Sequence, residues 1–357
     1  MAKKQLQSAD GSLVVPYENV QNVCMCVVIY PLLQYLLLND LETCKHHTAY
    51  ILDESISAKI RGKLPTYTFP GFPQTPFYKF WRKIVRTYQA LTRDIRHPYL
   101  KTATIYAQDH DIVSILIGKH DYYLLSDGPS IITRYFAEGN GLRQRAVAKA
   151  HSLQGFIEQR IYGKPFVWRF GENEQCKRIY LAEKNVAPIL ENKEVIVNSF
   201  QELWQQASEE KQHFILDVFD VSIEDCDLLQ SRPIVFFTQP LVNDRLLENA
   251  EYVEVLQKIF DHYPHSDLII KTHPRDNFNY SKYFPDIAVF DKPVNLQLLS
   301  ILNVSLKKAV TIFSTAVFDL PENVEIDWIG VDIHPKLLAF VGTDKIDLPR
   351  PFNKVNL

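Results

Sequence analysis

From residue 234 to the carboxyl end, short apolar runs alternate with amphipathic stretches, and this alternation constrains the fold more than any other feature of the chain. Runs of strand length fall at 234–237, 268–270, 288–290, 310–313 and 326–331. Between them, Leu246, Leu247, Val253, Leu256, Ile259 and Phe260 recur at helical spacing, 295–302 does the same, and a further helix is expected from Ser314. Strand–helix alternation of this kind predicts a parallel sheet with helices on both faces, an α/β fold.

The amino half repeats the pattern less regularly. Apolar runs at 23–29, 50–52, 103–106, 122–125 and 195–197 read as strands. Pro31 stands where a helix can start, since proline is tolerated at the first helical position, and 112–117 reads as a short helix. The stretch 63–76, with four prolines among aromatic residues, reads as a loop, and 134–160 as a loop followed by a helix. A chain of 357 residues has room for two domains. We place the boundary close to Ser231, giving domains 1–230 and 231–357.

Composition excludes several classes. A net charge of -3 and a pI near 6.4 argue against a general nucleic-acid binder. Cys24, Cys26, Cys44, Cys176 and Cys226 are odd in number, with no C-x-x-C pair and no zinc spacing, which fits a reducing cytoplasm. The longest apolar run, 23–38, is interrupted by Pro31 and Gln34 and is too short to span a bilayer; residues 1–22 lack the apolar core of a signal peptide. A cytoplasmic location is therefore expected.

Chemistry concentrates at expected strand ends, where open α/β sheets place their ligand crevices. Lys271, His273, Pro274 and Arg275 directly follow one strand and put a titratable ring between two cations, a setting for a phosphate. A proline-terminated loop with solvated charges explains the same residues without a ligand. His-Pro alone means little, since it recurs at His97-Pro98 and His334-Pro335. Thr238 and Gln239, with Asp244 beyond them, follow another strand; Ser314 and Thr315 follow a third, where hydroxyls and free N–H groups at a helix start could hold a phosphate or simply cap the helix. Asp127-Gly128 ends a strand in the amino half and is either an exposed carboxylate on a tight turn or an ordinary Asp-Gly turn.

Taken together, Thr238-Gln239-Pro240, Asp244, the Lys-x-His-Pro-Arg of 271–275 and Phe313-Ser314-Thr315 resemble bacterial sialyltransferases of the lipooligosaccharide type, glycosyltransferase family 52. The match covers roughly residues 232–318; in the amino half, Tyr30 to Gln34 is similar to the family's early Thr-Pro-Leu-Gln, and Ser126-Asp127-Gly128 adds support. Two positions depart from the family's pattern. Asn243-Asp244-Arg245 keeps the carboxylate but not the glycine that follows it, and Asn295 stands where the family tends to have a glutamate for the nucleotide ribose.

The resemblance implies a GT-B enzyme, two Rossmann-like domains facing a cleft, the first binding the acceptor and the second the nucleotide sugar. It implies inverting transfer of sialic acid from CMP-sialic acid to a terminal sugar of a surface glycan, lipooligosaccharide or capsule. Asp244 would be the base, with Asp127 the runner-up, and His273 the acid or phosphate partner. Thr238, Gln239, Lys271, Pro274, Arg275, Asn295, Ser314, Thr315 and Gly128 would line the substrate. No metal and no cofactor are expected, because Lys271, Arg275 and the Ser314 helix end would supply the positive field. Another donor, CMP-Kdo or a UDP-hexose, and a non-catalytic binding protein on the same scaffold remain alternatives, and a homodimer is left open.

One more segment calls for a partner. Lys79, Arg82, Lys83, Arg86, Arg93 and Arg96 are interleaved with Phe80, Trp81, Ile84, Val85, Tyr88, Leu91 and Ile95. Over 79–96 this reads as a basic amphipathic helix, either docking peripherally on the anionic inner face of the inner membrane or packed on a core with a solvated cationic side.

Overall fold

In a computed structural model, residues 6–7, 13–68, 78–110, 113–128, 131–137, 141–182, 190, 192–292, 294–314, 316–317, 320–342 and 351–357 are described. The chain divides into two units, 1–218 and 219–357.

In the first unit, beyond a small antiparallel pair of β1 (Leu6–Gln7) and β2 (Leu13–Val14), the strands are β3 (Asn22–Cys26), β4 (Thr48–Leu52), β5 (Thr66–Thr68), β6 (Thr104–Ala107), β7 (Tyr122–Leu125), β8 (Cys176–Leu181) and β9 (Glu194–Val197). Among the described residues these seven form a parallel sheet in the order β5-β4-β3-β6-β7-β8-β9. The second unit holds β10 (Ile234–Phe237), β11 (Leu268–Lys271), β12 (Ala288–Phe290), β13 (Lys308–Thr311), β14 (Glu325–Trp328) and β15 (Asn353–Lys354), parallel in the order β12-β11-β10-β13-β14-β15. In both, the first strand lies inside the sheet, the chain winds out one way, then crosses back and winds out the other. That is Rossmann winding, and each sheet has its switch point beside its first strand, at β3/β6 and at β10/β13.

Continuous apolar runs become central strands because both faces of a parallel sheet are covered. Val235, Phe236, Ile269, Ile270, Ala309 and Val310 are all fully buried, each large one stabilising by about 1.5–3 kcal/mol relative to exposure. The expected helix from 246 begins at Asn249 instead, because the N–H groups of Leu246 and Leu247 turn back onto the Leu241 carbonyl at 2.9 and 3.3 Å. It runs to Phe260 and buries Tyr252, Val255, Leu256, Ile259 and Phe260.

Further differences have local causes. β5 lies inside the expected loop 63–76, of which 69–76 is outside the described residues, and β8 extends a sheet through a stretch without strand expectation. Residues 219–230 group with the second unit rather than the first: Phe219, Val221, Cys226 and Leu229 are buried, and Lys292 sits 3.7 Å from Asp220 and 3.4 Å from Asp225. Of the helix expected from Ser314, only 316–317 are described, in 3-10 form, with the Val317 N–H donating to the Ser314 carbonyl at 3.4 Å; the Ser314 N–H donates to Thr311 Oγ1 at 3.2 Å, and Thr315 lies outside the described residues.

Candidate active site

Strand register brings the carboxyl-half residues together. Phe237 pairs with Lys271 and with Thr311, and Lys271 with Phe290, so the segments that follow all emerge at one sheet edge. The Thr238 hydroxyl donates to Asp276 Oδ2 at 2.7 Å and accepts the His273 N–H at 2.8 Å. Gln239 spans the switch point, its Oε1 accepting the Phe313 N–H at 3.1 Å. Both are fasteners of the loops.

His273 opens a turn in which its carbonyl accepts the Asp276 N–H at 2.8 Å, with Pro274 at the position where its fixed φ suits a turn. The Arg275 N–H donates to His273 Nδ1 at 3.1 Å. A ring accepting at Nδ1 carries its proton on Nε2, so the imidazole is a neutral donor. Its pKa agrees: burial first, then Arg275 and Lys271, push it down to about 4.

Asp276, unassigned from sequence, is the anchor of the turn. It accepts from Thr238, from the Tyr280 hydroxyl at 2.6 Å and from the Phe278 N–H at 3.1 Å, and burial raises its pKa.

Lys271 departs from its expected role. It is the last residue of β11, fully buried, and its Nζ donates to the Thr272 and Val294 carbonyls at 3.0 and 2.8 Å. The ammonium ties Val294 to the end of β11, and burial pulls its pKa down to about 7. Arg275 is left as the exposed cation of the motif, and its guanidinium meets Asp244 at 3.2 and 3.5 Å. Asp244 sits before Arg245, whose φ of 58° lies in the left-handed region that favours glycine. Arg245 thus adopts a backbone conformation that glycine favours, at the position where the family's pattern has a glycine. Asn295 caps the next helix, its Oδ1 accepting the Leu298 N–H at 3.0 Å, while its Nδ2 is a buried donor without a protein partner. A ligand acceptor would satisfy that atom.

The lowered pKa of Lys271 has a testable sign. The unfolded lysine keeps its proton up to about pH 10.4, whereas the folded one releases it near 7. Its contribution to stability is therefore present above the unfolded pKa and lost as pH falls through 7. Urea melts from pH 9.5 to 7 should show wild type weakening by up to about 1.4 kcal/mol per pH unit from this group, and Lys271→Met lacking that slope. Equal slopes would contradict a buried, near-neutral lysine.

The amino unit has its own strand-end cluster, at its own switch point. The Val27 N–H bonds to Gln108 Oε1, as does that of Val28 at 3.3 Å, and Gln108 Nε2 donates to Asp127 Oδ1. His110 Nε2 lies 2.7 Å from the other carboxylate oxygen. Gln34, from the helix Ile29–Leu38, is buried and accepts the Ser126 N–H at 3.2 Å, which explains why the Tyr30 to Gln34 motif matters. Gly128 is not needed for the turn: its φ is not positive and a Cβ there would meet open space. Gln108 and His110 were missed from sequence because only the β6–β7 pairing brings them to Asp127.

Among the described residues, no three His, Cys, Asp or Glu side chains converge as a metal site, and no helix is long and apolar enough to cross a membrane.

Two α/β units of Rossmann winding, each with polar groups gathered at its switch point, give the chain the GT-B fold. The profile of glycosyltransferase family 52 matches residues 51–337, and the chain belongs to that family. An uncharacterized protein of Haemophilus influenzae is 32% identical over 308 residues, spanning 85% of this chain and 91% of that one. Among solved structures, the GT-B domain of a sialyltransferase from Photobacterium damselae superposes with TM-score 0.51 at 14% identity, covering 86% of this chain and 90% of that chain. A 2,6-sialyltransferase of Photobacterium sp. JT-ISH-224, solved with donor product CMP and acceptor substrate lactose, gives TM-score 0.53 at 12% identity, covering 86% and 71%.

Proposed function

We propose that this glycosyltransferase moves sialic acid from CMP-sialic acid, with inversion, to a terminal sugar of a bacterial lipooligosaccharide or capsule. The observation that carries the reading is the His273 turn, a neutral Nε2–H donor beside the Arg275 guanidinium, set for one bridging phosphate. An acceptor hydroxyl attacks the anomeric carbon as a carboxylate takes its proton, and CMP departs with the electron pair of the broken C–O bond. Arg275 and the His273 donor stabilise the leaving phosphate, so neither a metal nor a cofactor is needed. We keep Asp244 as the base, with Asp127 the runner-up: Asp244 is on the same unit as the His273 turn, 3.2 Å from the Arg275 guanidinium and 41% exposed, whereas Asp127 is held by Gln108 and His110 on the other unit. Family membership and the fold shared with a CMP-bound sialyltransferase support the donor class.

A panel of CMP, CMP-sialic acid, CMP-Kdo and UDP-hexoses tests it by thermal shift, since a ligand binding only the native state raises Tm. The CMP compounds should stabilise, CMP-sialic acid most. Stabilisation by UDP-hexoses alone would overturn the donor.

We also propose that helix Tyr78–Arg96 meets an anionic membrane surface. Trp81, Ile84, Tyr88, Leu91 and Ile95 form an exposed stripe; Leu91 is 69% and Ile95 81% exposed, more than core packing tolerates. Not every cation takes part. Arg93 is buried, donating to the Ile115 carbonyl at 2.9 Å, and Arg86 lies over the Phe166 ring. The side chains at 78–80 and 82 lie outside the described residues, which leaves Lys83 and Arg96 as the exposed flanking charges described. Sedimentation with phosphatidylserine liposomes should be strong at low salt, weak at high salt, and lost in Leu91→Ser/Ile95→Ser. Equal sedimentation of this variant at low salt would exclude the surface.

A further inference from the structure

A cleft that the proposed reaction leaves unused lies in the first unit, at the amino ends of β7 and β8 and so at the sheet edge opposite Asp127. It holds about 630 Å³ and is lined by Lys119, Arg160, Lys164 and Lys177 together with the carboxylates of Asp121 and Glu174. We propose that this cleft binds the phosphate head group of an anionic lipid, with Lys119 and Arg160 on the phosphate. The role rests on the reading that helix Tyr78–Arg96 meets a membrane, and it names the group that the surface recognises.

The charges of the lining do not cancel. Lys164 lies 2.7 Å from Glu174 and Lys177 3.3 Å from Asp121, which accounts for both carboxylates. Lys119 and Arg160 are exposed and have no ion pair or hydrogen bond among the described residues. Two such cations on one cleft suit a phosphate, whose oxygens accept charge-assisted hydrogen bonds from ammonium and guanidinium alike. Their placement is built in. Gln175, a buried member of the lining, donates through Nε2 to the Gly118 and His120 carbonyls at 3.0 Å each, on either side of Lys119. Gly163, just past helix Leu153–Tyr162, has a φ of 98° and lies so close to the Gly118 backbone that a Cβ would have no room. The end of the helix that carries Arg160 is thus fixed against the residue before Lys119.

The rim points to a lipid rather than a free anion. Leu153, Phe156, Ile157 and Arg160 share one face of their helix by spacings of three and four, and Leu153 and Phe156 are 78% and 63% exposed. Phe156 also lines the cleft. That helix adjoins helix Tyr78–Arg96: the Tyr162 and Thr87 hydroxyls are 2.9 Å apart, and Asp94 lies 2.9 Å from His120, the residue after Lys119. Two neighbouring helices therefore both present apolar rows to solvent beside the unpaired cations. A soluble anion would use the cations and leave the apolar row exposed. A lipid uses both, its phosphate in the cleft and its acyl chains against Leu153, Phe156 and Ile157. A volume of about 630 Å³ also exceeds what phosphate alone fills and falls within the range of ordinary small-molecule sites.

The test is sedimentation of the full chain with phosphatidylcholine vesicles carrying phosphatidylglycerol, at physiological salt, where charges farther apart than about 8 Å are screened. Wild type is set beside Lys119→Gln/Arg160→Gln and beside a control, Lys258→Gln/Lys307→Gln, which removes two exposed cations of the second unit; melting temperatures confirm the fold of each. The cleft variant should bind at least about tenfold more weakly, having lost two contacts to the anionic surface, and the control should stay within about twofold of wild type. A cleft variant that binds like wild type, while Leu91→Ser/Ile95→Ser does not, ends the head-group site and leaves the membrane reading standing. Equal losses in the cleft variant and the control would make the effect one of net charge and overturn the site as well. Glycerol phosphate tests the soluble source: if it raises Tm of wild type but not of the cleft variant, and both bind vesicles alike, the cleft serves a free phosphate and the lipid is wrong. A wild type that binds no vesicles removes the membrane reading and this role with it.

Discussion

His273→Ala is expected to lower turnover at least about a hundredfold, the scale typical of losing a group that moves or donates a proton in the transition state. The melting temperature should stay within about 2 °C, because the strain-free turn is anchored elsewhere, by Asp276 on Thr238 and Tyr280. The mechanism behind the loss is specific. With Nδ1 occupied by the Arg275 N–H, Nε2–H is the one donor the ring can offer, and alanine removes it. A pKa pushed down to about 4 adds a pH signature, since kcat/KM reports the free enzyme. Its acid limb due to His273 should lie near pH 4 rather than 6.5. Stability follows the same sign: a lowered histidine pKa gives a contribution present above about 6.5 and lost as pH falls through 4, and His273→Ala should flatten that decline. A folded His273→Ala variant with near-wild-type turnover would end the role.

Asp244→Asn is the second large effect, with turnover down by roughly a thousandfold, within the range expected for a general base. Asparagine keeps the shape but cannot take a proton. The ion pair to Arg275 that is lost with it accounts for little of this, since both side chains are more than two-fifths exposed and exposed pairs contribute about 1 kcal/mol or less. Asp127→Asn should cost far less, about tenfold or under, below the range for a general base. Steady-state rates of the two variants under one donor concentration decide the matter. The reverse ranking, an active Asp244→Asn and an inactive Asp127→Asn, would move the base to Asp127.

Much of the second unit was legible because its information is local. Apolar runs at 234–237 and 268–270 had to be buried strands, and the polar residues after them had to surface at the strand ends. The His-Pro pairs show the same logic from the other side. His97 is packed against Tyr99, its Nδ1 2.7 Å from the hydroxyl, and His334 caps the helix Pro335–Val341. Only the pair after β11 lies at a strand end of a sheet with a neighbouring switch point. By contrast, the polar and interrupted stretch around β8 carries little period-two pattern, and β5 is three residues among prolines. Their strand state comes from pairing with β7 and β4, not from their own residues.

The sequence by itself therefore determined the α/β class, the position of the His273 turn and the residue types in it, since hydrophobic period and strand ends depend on near neighbours in the chain. Only the tertiary structure decided which of those residues face outward. Lys271 and Arg275 are four positions apart and carry the same formal charge, yet one is buried against carbonyls and the other exposed, because Lys271 ends a strand covered on both faces while Arg275 lies in the turn beyond it. Likewise Gln108, His110 and Asp127 meet through strand order, and the winding shared by the two sheets has no counterpart in any internal sequence repeat. Contacts between residues far apart in the chain follow from register and topology, and a linear pattern carries neither.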